Sequence, residues 1–192
     1  FHVSESMRLK QAAGTFTKNH WIKVLFDPSS LSVFYKPFLN ALVTSLGACL
    51  VALVFGGVFS WFITRTNIRW KKVLSSLFIF PYIMPSWTLA LAWYNVFKNS
   101  VVGGVPGTFQ ALTGIEPPNW FAYGAFPIAL VTGLHYAPFA YIMIGGVLRN
   151  MDANLEEAAM MLKTSRNRIV RKITIPMILP AILSTFLLVF SS

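Results

Sequence analysis

Long stretches without Asp, Glu, Lys or Arg alternate with short, strongly basic ones. Phe38–Thr64, Val73–Phe97 and Trp120–Leu148 contain no such charge, and the run from Ile173 stays clear of them to Ser192. A transmembrane helix needs about 20 largely apolar residues. The pattern therefore predicts an all-α, polytopic transmembrane helical bundle. Its spans fall at about 38–64, 73–97, 120–148 and 173–192, at least four in all, with residues 1–37 forming a segment outside the membrane. Within the spans, the ionisable side chain that stands out is His135.

Composition agrees. The 192 residues are 55% apolar and only 11% charged, whereas an ordinary soluble domain carries about 25% charged residues. The formal charge of +10 would suit nucleic acid only if the cations lay on a water-facing surface; here they separate apolar spans. Cys49 has no second cysteine to pair with, which excludes a disulfide scaffold and cysteine-ligated zinc. No signal-peptide pattern is present. The chain opens on Phe1 and closes on an apolar run without flanking charge, so it reads as a fragment.

Orientation follows from Lys and Arg, which cytoplasmic loops retain. Arg65, Arg69, Lys71 and Lys72 separate the first two spans; Arg149, Lys163, Arg166, Arg168, Arg171 and Lys172 separate the last two. Lys98 alone lies between the middle spans. The two basic loops are thus expected inside, and the Gly/Pro-rich loop Asn99–Asn119 and the N-terminal segment outside. The five N-terminal cations, Arg8, Lys10, Lys18, Lys23 and Lys36, run against this assignment, although residues well upstream of a span weigh less.

Thr44, Ala48, Ala52, Gly56 and Ser60 recur every four residues along span one, a small-residue face on which another helix can pack closely. Pro81 and Pro85 in span two, and Pro127 and Pro138 in span three, are each expected to delete an intrahelical hydrogen bond and kink their helix. The aromatic groups Trp87, Trp93, Tyr94 and Trp120, Phe121, Tyr123 suit headgroup anchoring better than a solute cage.

The loop at 149–172 carries the most specific signal. Leu155, Ala158, Ala159 and Leu162 fall at i, i+3, i+4 and i+7, one apolar face of a short helix. Asp152 suits its N-cap, and Glu156 and Glu157 complement the dipole of its first turn. A second short helix can start at Thr164 or Ser165. Such a pair could dock a soluble subunit or lie on lipid; the pattern alone does not choose.

At these positions the chain resembles the membrane subunits of binding-protein-dependent ABC importers. Glu157, Ala158 and Ala159 match the Glu-Ala-Ala opening of that family's loop, with Leu155 and Glu156 as its lead-in. Ile173 falls at the required spacing, Ile175 replaces Leu, and Pro176 and Pro180 match the proline positions. The family's glycine is Lys163 here, which loses glycine's free access to positive φ at a helix end. The likeness extends to Thr15–Trp21, Asn40–Leu46, the basic break at 65–72 and the Pro81–Pro85 pair. In character it is most similar to ferric iron, thiamine, polyamine and phosphonate permeases.

The resemblance implies a type I permease core in the inner (cytoplasmic) membrane, with further helices beyond both ends. It implies docking of cytoplasmic ATP-binding subunits through Leu155, Glu156, Glu157, Ala158, Ala159, Leu162 and Lys163, with Ile173, Pro176 and Pro180 at the loop-to-helix junction. A second permease half and an extracytoplasmic solute-binding protein complete the implied partners, alongside lipid. The chain itself would have no catalytic site, cofactor or metal, with ATP hydrolysed on the partner. Gly103, Gly104 and Gly107 are not followed by the Lys of a phosphate loop. The rivals are an ion-coupled carrier or channel, which would need ionisable groups in its spans, and a non-transporting scaffold.

Overall fold

The computed structural model describes residues 24–151, 161 and 165–192. Leu155, Glu156, Glu157, Ala158, Ala159, Leu162 and Lys163 lie outside them. The chain divides into two compact units, Phe1–Leu42 and Val43–Ser192. In the first, Asp27 accepts hydrogen bonds from Ser29 N–H and Oγ, at 3.0 and 2.8 Å, and Tyr35 donates to the Leu25 carbonyl.

The helices in order are α1 (Lys36–Arg65), α2 (Lys71–Ile83), α3 (Ser86–Phe97), α4 (Thr108–Thr113), α5 (Asn119–Ala122), α6 (Ala125–Asn150), α7 (Arg166–Ile169) and α8 (Ile175–Ser191). Among the described residues, three stretches are long and apolar enough to cross a membrane: Leu31–Arg65, Asn119–Asn150 and Asn167–Ser191. The fourth, α2 with α3, passes only as a pair bent by 94°.

Helix α6 is the central strut, packed against α2, α3, α5 and α8 and against the second unit's part of α1. The α1 contact depends on small residues. A methyl group on Gly56 would overlap the Ala140 side chain and lie 2.5 Å from the Ala137 carbonyl oxygen; one on Gly133 would lie 2.5 Å from Val51 Cβ. Both glycines are helical, so absent volume rather than backbone freedom is what they supply. Ala48, Ala52, Gly56 and Ser60 are buried, and Thr44 is half-buried. Ser60 Oγ closes the contact by donating to the Tyr141 carbonyl at 2.8 Å. Gly47 faces Ala129 and Gly145 faces Ser60, so α1 and α6 run parallel. Ser75 meets Tyr141 and Pro81 meets His135, so α2 runs antiparallel to both.

The prolines act differently from one another. The expected kink at Pro85 is a complete break: Met84 and Pro85 are extended, and Pro85 precedes the first residue of α3. Pro81 and Pro138 lie inside their helices. Pro127 instead occupies the first turn of α6, where an N–H would have no intrahelical partner, so it removes no helical bond. A five-residue π turn precedes α1 at Leu31–Tyr35 and another precedes α8 at Val170–Thr174. In each the residue that follows, Lys36 or Ile175, donates five residues back, to Leu31 or Val170, and is itself followed by proline. The wider turn relieves the clash that a proline ring makes with the carbonyl four residues earlier. The second short helix begins after Ser165, whose carbonyl accepts from Arg168 and Ile169. It runs through the π turn into α8 without interruption.

Gly56→Val is expected to lower folding stability by roughly 1–3 kcal/mol through overpacking. Gly146→Ala, where an added methyl meets nothing within 4 Å, should be neutral. Thermal or denaturant unfolding of the detergent-solubilised protein checks both.

Candidate functional site

The two ends of the bundle are built differently. At the basic end, α6 leads into the 152–164 loop and α7 leads out of it. Ile144, Leu148 and Met151 from this side of the loop and Ala181 from the other form one buried cluster, with Ile173, Ile178 and Ile182 packed against it. Both roots of the loop are therefore fixed to the same apolar contact. Ile173 is half-buried there, whereas Pro176 and Pro180 are exposed. Ile142, Met143, Gly146, Asn150 and Met177 help line an adjacent cavity of about 410 Å3.

Tyr141 ties three helices together just above this cluster. Its carbonyl accepts from Ser60 of α1. Its hydroxyl donates to Ser75 Oγ at 2.9 Å, and Ser75 donates in turn to the Lys71 carbonyl. Its ring meets the edges of Phe59 and Phe78, which stack on each other at 3.9 Å, and the Arg149 guanidinium lies 5.9 Å from its centroid. The helix ends at Arg65, Lys71 and Arg149 are thus gathered at one end of the bundle.

At the opposite end, Asn99 organises the Gly/Pro-rich loop. It is 1% exposed; its amide donates to the Pro117 carbonyl and Asn119 Oδ1 at 2.7 and 2.8 Å. Its Oδ1 accepts from the Val101 and Val102 amides. Gly107 sits against the Asn95, Val96 and Lys98 carbonyls, where a side chain would not fit. Trp93 Nε1 donates to the Phe121 carbonyl at 3.0 Å, and Phe97, Phe109 and Phe126 extend the ring cluster. Trp87, Trp93, Tyr94 and Tyr123 line an apolar cavity of about 450 Å3 between α3 and α6. Trp120 is 61% exposed and lies outside that lining.

His135, nearly buried in α6, places Nδ1 3.1 Å from the Pro81 carbonyl oxygen. A carbonyl only accepts, so Nδ1 carries the proton. Sequence reasoning alone did not find Ser75, Tyr141 or Asn99 as anchors. For the Pro81 carbonyl the signal was available: Pro85, four residues on, has no N–H to give it. Among the described residues, no three His, Cys, Asp or Glu side chains come together as a metal site would need.

Long apolar helices around a buried strut, and a broken pair stitched to it, define a polytopic α-helical membrane protein. Residues 52–192 match the family model described as binding-protein-dependent transport system inner membrane component, and the chain belongs to that family. Over 190 residues it is 28% identical to the ferric transport system permease protein FbpB of Actinobacillus pleuropneumoniae, covering 99% of this chain and 25% of that protein. It is 25% identical over 187 residues to the galactooligosaccharides transport system permease protein GanP of Bacillus subtilis, covering 94% and 42%. It is 28% identical over 173 residues to the inner membrane ABC transporter permease protein YcjO of Escherichia coli, covering 85% and 56%. The chain thus spans between about a quarter and a little over half of these relatives' length.

Leu148→Ala is expected to cost about 2–4 kcal/mol, because the cavity opens where the loop roots meet. Leu179→Ala, on the exposed face of α8, should cost well under half as much. Unfolding midpoints of the two variants compare them directly.

Proposed function

We propose that this chain forms part of the solute pathway of an ATP-driven importer, and that the 149–172 loop couples it to a cytoplasmic ATPase. In this reading Glu157, with Ala158, Ala159 and Leu162, docks in a groove of the ATP-binding subunit. Leu155 and Glu156 lead into that contact, and Lys163 closes it. Closure of paired ATPase subunits on ATP draws the loops together and tips the bundle between inward-open and outward-open arrangements. A second permease half completes the pathway, and a solute-binding protein outside delivers the cargo.

The observation that carries the reading is family membership joined to the spacing of Glu157-Ala158-Ala159 with Ile173, Pro176 and Pro180. The shared cluster at the loop roots supports it mechanically. A displacement of the loop has to move α6 and α8 together, since Leu148 and Ala181 pack in one cluster. An ion-coupled carrier places carboxylates in its spans at real energetic cost, and Phe38–Thr64, Val73–Phe97, Trp120–Leu148 and Ile173–Ser192 hold none.

Ala159→Asp is expected to reduce co-purification of the full-length permease with its ATPase subunit by at least about ten-fold, since a carboxylate desolvated in an apolar groove costs several kcal/mol. Glu157→Ala should weaken it less. Unchanged association and unchanged ATP turnover in both variants reject the docking role. Uptake driven by an ion gradient with ATP absent would favour the carrier instead.

A further inference from the structure

The break between α2 and α3 is held by one polar contact from the strut. In a continuous helix the Pro81 carbonyl would accept from residue 85, but that residue is proline and has no N–H. His135 Nδ1 stands 3.1 Å from this oxygen. The imidazole is further fixed by Tyr82, stacked at 5.7 Å, and by the edge of Tyr136 at 5.0 Å. Beyond the break, α3 is anchored at its far end by Trp93 on the Phe121 carbonyl. Between these anchors it borders the apolar cavity of about 450 Å3. Helix α3 is thus held at its far end directly and at its near end through α2, with the cavity along its side from Ser86 to Tyr94.

We propose that His135 is a positioning residue for the permease: by replacing the donor that Pro85 withholds from the Pro81 carbonyl, it sets the angle at which α3 leaves α2. Without that donor the carbonyl is an unpaired acceptor in an apolar setting, at a cost comparable to a lost hydrogen bond or more. The break then relaxes, and the cavity wall carrying Trp87 and Tyr94 loses its fixed place. Its effect on turnover rests on the importer reading; the effect on helix geometry does not.

The experiment uses the full-length permease with its ATPase subunits in phospholipid vesicles. Spin labels at the exposed positions Leu77 and Leu91, one on each arm, report the angle as a distance distribution. Wild type and His135→Asn, whose amide N–H stands in for Nδ1–H, are expected to give one narrow distribution and similar ATP turnover. His135→Leu should broaden the distribution and reduce turnover on the order of ten-fold, with ATPase association retained. Adding Pro85→Ala to His135→Leu restores a backbone donor; the distribution should narrow again, at a longer distance, as the arms straighten. A narrow, wild-type distribution in His135→Leu overturns the proposal. So does an Asn variant as broad as Leu, or a double variant that stays broad. Loss of ATPase association in wild type would instead count against the docking reading and leave the distance test standing.

Discussion

A helix backbone in an apolar surround has to keep its carbonyls paired, because no water is at hand to replace a missing donor. This chain places prolines inside three helices, at Pro81, Pro138 and Pro180, and much of its architecture answers that constraint. Where Pro85 withholds its N–H from the Pro81 carbonyl, the answer comes from another helix, through His135. Ahead of Pro176 it is local, a turn widened to a five-residue hydrogen bond. Each remedy fixes geometry: one ties α2 to α6, and the other sets how the basic-end segment enters α8.

The strut itself owes its place to what its neighbours lack. Gly56 and Gly133 let α1 and α6 approach until backbone meets side chain, and dispersion between such surfaces is a main source of helix association in lipid. The same strut reaches the Asn99-stapled loop at one end and the loop roots at the other. Both ends are thus referred to one helix.

Much of this was legible in the sequence, and the limits have physical causes. Spans can be read because the bilayer demands uninterrupted apolar length, and the small-residue face of span one can be read because four-residue spacing is helical. The break at Met84–Pro85 exceeded the kink expected of Pro85, since whether proline bends or ends a helix depends on what tertiary structure offers the freed carbonyl. Pro127 did the reverse: its effect vanished because Gly124, with φ of 118°, restarts the helix just before it. Tyr141 and Asn99 gave no local signal. Their partners lie 66 or more and up to 20 residues away respectively, and a hydroxyl or amide in an apolar run does not announce which carbonyl it will meet.

The π turn at Val170–Thr174 changes the azimuth of everything before it. From the end of the π turn along α8 the buried positions Thr174, Ala181, Thr185 and Val189 keep ordinary helical spacing, but Ile169, also buried, lies five residues ahead of Thr174 instead of four. The extra residue amounts to about 100° of rotation. It lets Ile169 share the inner stripe although an ideal helix would point it elsewhere. Removing a single residue from this turn would therefore leave α8 intact while swinging the preceding short helix α7 around its axis, a one-codon rotation of a basic segment.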